Sequence, residues 1–212
     1  MGIVLYGRRL SFEVQKVLWL LDELGITYEH IELGNNPEET STTEFKNLNP
    51  MQKIPVLKDG DKVIWESNSI LRYLSGEYGD KDWREDDPYS QSLYERWMDW
   101  SQTFFEPAFI GVFWGYYRTP PELRNMDEVY SSLETCRNCL EKLEGQLSGK
   151  KYLAGDDITL ADISAGVLVF RLVEVGLDIV LPENVENWYS QLKLREGYRT
   201  WVMSDFSSLR GQ

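Results

Sequence analysis

The apolar pattern of the chain changes period once, near residue 80, and that change restricts the folds open to it. Before residue 80, strand-length runs alternate with helix-length ones; beyond it the apolar residues repeat at helical spacing only. GIVLYG (2–7) and TYEHIEL (27–33) read as strands. EVQKVLWLLDELG (13–25) reads as a helix with Val14, Val17, Leu18, Leu21 and Leu24 on one stripe and Gly25 as its stop. TTEFKNL is a short helix ahead of Asn49-Pro50. In KIPVLKDGDKVIWESNSILRYL (53–74), Pro55 lacks a ladder donor and belongs at a strand's start. Val56-Leu57 and Val63-Ile64-Trp65 then flank Asp59-Gly60-Asp61 as a hairpin. Ser67 reads as the N-cap of a helix carrying Ile70, Leu71 and Leu74.

The order β-α-β-α-β-β-α predicts an α/β thioredoxin-like domain, a mixed four-stranded sheet with helices on its faces, over residues 1–79. The acidic stretch 80–89 reads as a linker and 90–212 as an all-α helical domain. Its first helix, about 90–118, is expected to bend at Pro107, and a second runs about 122–147. ITLADI opens a third, with Thr159 as N-cap, Asp162 reaching back as in a capping box, and Ile158 and Ile163 as a hydrophobic staple.

Charge and composition narrow the function. Lys and Arg total 22 against 35 Asp and Glu, a net −13, which disfavours nucleic acid and anionic membranes as partners. An anionic ligand must therefore be caught by local groups. No apolar run reaches the roughly 18 residues of a membrane span, and no signal-peptide pattern is seen, so a cytoplasmic location is expected. Cys136 and Cys139 form C-x-x-C in the middle of a helix, where a redox pair has no strand-to-helix junction to activate it. His30, the one histidine, has no partners at metal-ligand spacing, so no metal is expected.

Chemistry in a thioredoxin-like domain sits after the first strand, here GRRLSFEV (7–14). Ser11 stands there where a disulfide exchanger has a cysteine, and its hydroxyl suits donation to a thiolate brought by a ligand. Arg8 and Arg9 stand near enough to assist. The bare N–H groups at the Ser67 helix start suit a carboxylate.

Together, S-x-x-V-x-K-V from Ser11, Asn-Pro ahead of K-I-P-V-L, Glu66-Ser67 and the TLAD box resemble the cytosolic glutathione transferase family over essentially the whole chain. The serine-type theta, phi and bacterial classes are most similar. The resemblance implies a glutathione S-transferase with glutathione as co-substrate, Ser11 bonded to its sulfur. Ile54 would bind the cysteinyl backbone beside a cis Pro55, Glu66 and Ser67 the γ-glutamyl end, and Lys53 the glycyl carboxylate. It also implies detoxification and a homodimer, with Arg72, Tyr73, Arg96 and Trp97 supplying contacts. FFEPAFIGVFWGYY places Glu106, Ile110, Trp114 and Tyr117 at helical spacing, with Leu10 opposite, as an acceptor site for a small apolar electrophile. Two departures from the family pattern stand out. Glu13 lies two residues after Ser11 and is expected to face solvent, and the second helix lacks its usual basic residue. A noncatalytic binding protein, or a glutathione-dependent isomerase, dehalogenase or peroxidase, is the alternative.

Overall fold

The computed structural model of the protein describes residues 2–81 and 83–211. Four strands, β1 (Ile3–Tyr6), β2 (Tyr28–Ile31), β3 (Val56–Asp59) and β4 (Lys62–Trp65), form one sheet in the order β2-β1-β3-β4. β1 and β2 are parallel, with Ile3 opposite Tyr28; β1–β3 and β3–β4 are antiparallel, with Val56 opposite Trp65. The parallel pair needs a crossover, supplied by α1 (Phe12–Glu23). Gly25 follows it at φ 62, the left-handed stop its sequence announced.

Two short helices, α2 (Pro37–Thr40) and α3 (Thr43–Leu48), lead to the hairpin. Only the second was expected, because Asn36 and Thr42 each cap a separate turn. In α4 (Ser67–Tyr78) a correction is needed: Ser67 is the first helical residue, and Glu66 occupies the cap position without a side-chain cap bond. Ser67 gives its hydroxyl elsewhere, as described below.

The helical half begins with α5 (Pro88–Trp100), capped by Asp87, so helix starts inside the stretch read as a linker. It runs through a π-turn (Ser101–Phe105) into α6 (Glu106–Val112) and a second π-turn (Phe113–Arg118). Pro107 lacks an N–H and crowds the preceding turn, which accounts for a widened turn just before it. α7 (Met126–Leu147), α8 (Leu160–Glu174) and α9 (Glu183–Leu192) complete the domain. Thr159 and Asp162 form the expected capping box at the head of α8; the Asp162 carboxylate also takes the Trp188 indole N–H at 2.9 Å. Cys136 and Cys139 are buried free thiols on α7, and burial pushes Cys136 up to about 12, so neither is a ready thiolate.

α8 packs on both α1 and α5, so one core runs through the two halves. Gly166 is a close approach: a Cβ there would lie 2.6 Å from Leu192 and 3.4 Å from Trp19. Polar groups bridge the same seam. Ser164 donates to Asn68 at 3.0 Å, and Asn68 donates to the Met98 carbonyl at 3.1 Å. These bonds fix the head of α4 against α5, and so fix one wall of the cleft between the halves.

Candidate active site

β1 ends at Gly7, whose φ of 153 and 2.5 Å clearance from Val14 exclude a side chain. The loop crosses there and delivers Ser11 to the head of α1. Ser11 is extended at φ −82 and ψ 122; its carbonyl accepts from Gln15 at 2.9 Å, but its hydroxyl caps nothing.

Beside it lies a cleft of about 350 Å³, whose walls include Lys53, Ile54, Pro55, Glu66, Ser67, Glu106, Ile110 and Trp114. Eight predicted residues from three separate stretches are thus brought together. Ser11 and Leu10 are not among the residues that line it; they directly precede Phe12 and Glu13, which do. Tyr117 is placed in the core instead, stacked on Phe113 with ring centroids 5.4 Å apart. The Ile54–Pro55 peptide is cis, as the resemblance implied. Glu66 holds φ 69, a backbone state that non-glycine residues avoid and that clusters at ligand sites. A larger open groove, about 800 Å³, lies beside Glu23 and Arg195; it gathers none of the predicted residues, and those two groups pair with each other at 2.5 Å.

Glu13 corrects an expectation: it turns into the cleft rather than toward solvent. Its carboxylate meets Lys16 Nζ at 2.7 Å and accepts a short hydrogen bond from Ser67. Lys16 is fully buried and also reaches Glu106 at 3.4 Å. Burial opposes every charge here. The two carboxylates overcome it for Lys16, raising its pKa. For Glu13, burial is overcome by Lys16 and by hydrogen bonds from Lys16 and Ser67, so its pKa is lowered. Glu106, buried and facing the Glu13 charge, is pushed up to about 7. At neutral pH Glu106 is thus about half protonated while Glu13 stays ionised.

Sequence reading missed four other groups. Asn49, buried, accepts from Met51 N–H at 2.9 Å and donates to the Lys53 carbonyl at 2.8 Å, bracing the loop that presents Lys53. Gln102 lines the cleft through a π-turn that no local pattern marks. Lys16 and Arg171 were legible in principle: each is a lone cation inside an apolar helical run, KVLWLL and VLVFRLV, and such a group requires a partner.

Among the described residues no three His, Cys, Asp or Glu side chains are grouped to hold a metal, and no helix is long and apolar enough to cross a membrane.

A mixed sheet of this order docked on helices, with a cis Ile54–Pro55 peptide at the cleft, is the architecture of the glutathione transferases. Residues 1–76 match the N-terminal domain of glutathione S-transferase and residues 109–202 its C-terminal domain. The chain belongs to the glutathione S-transferase family, and its enzyme class is glutathione S-transferase. It is 36% identical to glutathione S-transferase GstB of Escherichia coli (strain K12), over 95% of this chain and 98% of that one. Among solved structures it resembles the theta class glutathione S-transferase of Xanthomonas axonopodis pv. citri with glutathione bound. That match has 33% identity, a TM-score of 0.88, and covers 97% of this chain and 99% of the other. A glutathione S-transferase of Pseudomonas fluorescens is 26% identical with a TM-score of 0.83, over 93% and 97% of the two chains.

Proposed function

We propose that the protein joins the sulfur of glutathione to an electrophile, and that the Ser11 hydroxyl stabilises the thiolate that attacks. The observation that carries this is the Ser11 donor left uncapped at the head of α1, beside the cleft that holds Ile54–Pro55 and Glu66–Ser67. A free thiol has a pKa near 8.5 and is mostly neutral at pH 7. A hydrogen bond to a charged group contributes roughly 1.5–3 kcal/mol and a helix N-terminus about 0.3–1. Together they lower the thiol pKa by roughly 1.5–3 units, enough to make the thiolate dominant.

The peptide lies along Ile54, with its γ-glutamyl ammonium toward Glu66 and Glu13 and its carboxylate on the N–H groups that open α4. Ser67 then exchanges its bond to Glu13 for one to the ligand. Lys53, exposed at the rim, meets the glycyl carboxylate. The electrophile's apolar body lies along Ile110 and Trp114, which lines the cleft yet is 52% exposed. As the thiolate attacks, the carbon–sulfur bond forms, the leaving group departs with its electron pair, and the thiol proton has already gone to solvent. We read the chain as a cytoplasmic homodimer in detoxification, joined through α4 and α5. Sedimentation of Arg96→Glu against the parent protein tests that assembly.

Ser11→Ala tests the chemistry. Followed by thiolate ultraviolet absorbance, the bound thiol pKa is expected to rise by about 1–2 units. Turnover at pH 7 is expected to fall by about 10- to 100-fold. An unchanged ionisation of bound glutathione defeats the proposed role.

A further inference from the structure

Three guanidinium groups around the Ser11 loop and the Phe113–Arg118 turn act on one another. Arg171 reaches the loop at Leu10 and lies over Phe113 at 5.5 Å, Arg8 belongs to that loop, and Arg118 ends that turn. Arg171, on α8, is 1% exposed; its Nη2 donates to the Leu10 carbonyl at 2.8 Å and to Gln15 at 3.3 Å, while its Nε has no acceptor. Arg8 is half-buried, and its Nε also lacks an acceptor. Arg118 lies over the Trp114 ring at 4.4 Å. Among the described residues none of the three has a carboxylate within ion-pair distance. In a chain of net charge −13, three gathered cations without an anion are conspicuous. Glu32, whose charge acts on Arg8, is engaged by the Arg9 N–H at 3.0 Å.

The groups feel one another. Burial, then the charges of Arg8 and Arg118, lower the Arg171 pKa to about 10; burial, then Arg118, lower that of Arg8 against a small opposing effect of Glu32. Such repulsion is relieved by an anion placed among them.

Their position relates them to the reaction. Arg171 holds the carbonyl of Leu10, the residue before Ser11, and Arg118 stacks on Trp114, a wall of the cleft. The acidic trio sits at the opposite end of the helical run, at Glu106. We propose that the second substrate is an electrophile bearing a small anionic group, a carboxylate or sulfonate, which Arg8 and Arg118 bind while the buried Arg171 acts as a positioning residue for the loop. This rests on the glutathione-transfer reading above and narrows its acceptor class.

The test compares chlorodinitrobenzoate with chlorodinitrobenzamide, each with chloride flanked by both nitro groups and each rate divided by its uncatalysed rate with glutathione. Sulfur bonds to the ring carbon and chloride leaves with the bonding pair. The parent protein is expected to favour the benzoate. Arg118→Ala is expected to lower the benzoate-to-benzamide ratio of kcat/KM by about tenfold or more, Arg8→Ala by less, and Arg118→Lys to recover part. A ratio that Arg118→Ala leaves unmoved overturns the proposal. So does a weakened glutathione affinity in that variant with the ratio unmoved, which assigns the anion site to the glycyl carboxylate. Should glutathione fail to bind at all, the transfer reading falls. Calorimetry of chlorodinitrobenzoate on the free protein then decides: binding lost in Arg118→Ala upholds the anion site, and no binding to the parent protein overturns it.

Discussion

Two charged clusters flank Ser11, and they are built on opposite principles. On one side, Glu13 and Glu106 close around a fully buried Lys16, so like charges are brought together and neutralised within the chain. On the other, Arg8, Arg118 and Arg171 have aromatic rings and a carbonyl for company and, among the described residues, no carboxylate within ion-pair distance. The first is a closed account of charge, and removing a member leaves a buried charge exposed to no solvent. The second is open on one side, and removing a member relieves repulsion. The difference separates what holds the fold together from what waits for a ligand.

The sharpest way to break the contrast is to remove the lysine. Lys16→Met leaves two carboxyl groups facing each other in a buried site, and a loss of about 3–5 kcal/mol is expected at pH 7.5. Protonation relieves that cost, so the loss should shrink near pH 5. Urea unfolding at the two pH values measures it. An equal loss at both would show that packing, not charge, makes Lys16 indispensable.

Glu106 gives the next largest effect. Its folded pKa of about 7 lies above the ordinary carboxylate value, so the native state holds more protons than the unfolded chain between about pH 4.5 and 7. Stability from this group is therefore greatest below that window and falls as pH rises through it. Glu13 acts in the other direction: its lowered pKa adds stability above the ordinary carboxylate pKa, lost on acidification. Glu106→Gln removes the first contribution, and its stability should exceed the parent's by on the order of 2 kcal/mol above pH 7, with the advantage fading toward pH 4.5. A difference independent of pH would mean that Glu106 is ionised throughout.

Sequence reading succeeded where the cause was local. Strand and helix periods, the Gly25 stop, the Thr159–Asp162 box and Pro55 at the mouth of β3 each depend on a few neighbouring residues, and the structure has all of them. It failed at Glu13 because two local rules were in play and a distant residue decided. A first-turn acid suits the helix dipole in solvent, but Ser67, over fifty positions away in the chain, offers it a hydroxyl inside the cleft. Tyr117 failed differently. Helical spacing puts it in line with Trp114, yet the π-turn from Phe113 to Arg118 changes the residues per turn, so extrapolating an α-helical stripe misplaces its end. The same turn lays Arg118 over the Trp114 ring, which no periodicity foretold.

The smallest expected effect bears on the open cluster alone. A ligand that binds only the folded chain stabilises it by RT ln(1 + [L]/Kd), about 1 kcal/mol when its concentration is a few times Kd. Sulfate, compared with chloride at matched ionic strength, should therefore raise the Tm of the parent protein if the three arginines accept an anion. Sulfate also stabilises proteins in general by exclusion from their surfaces, so the informative quantity is the part lost on mutation. Arg118→Ala should lose most of the excess, because its guanidinium is partly exposed and makes no ion pair among the described residues. Arg137→Ala, exposed on α7 and paired with Glu134 at 3.3 Å, should lose none. Equal shifts in all three proteins would make the arginine cluster a closed structural feature like the lysine trio, and the contrast between the two sides of Ser11 would go with it.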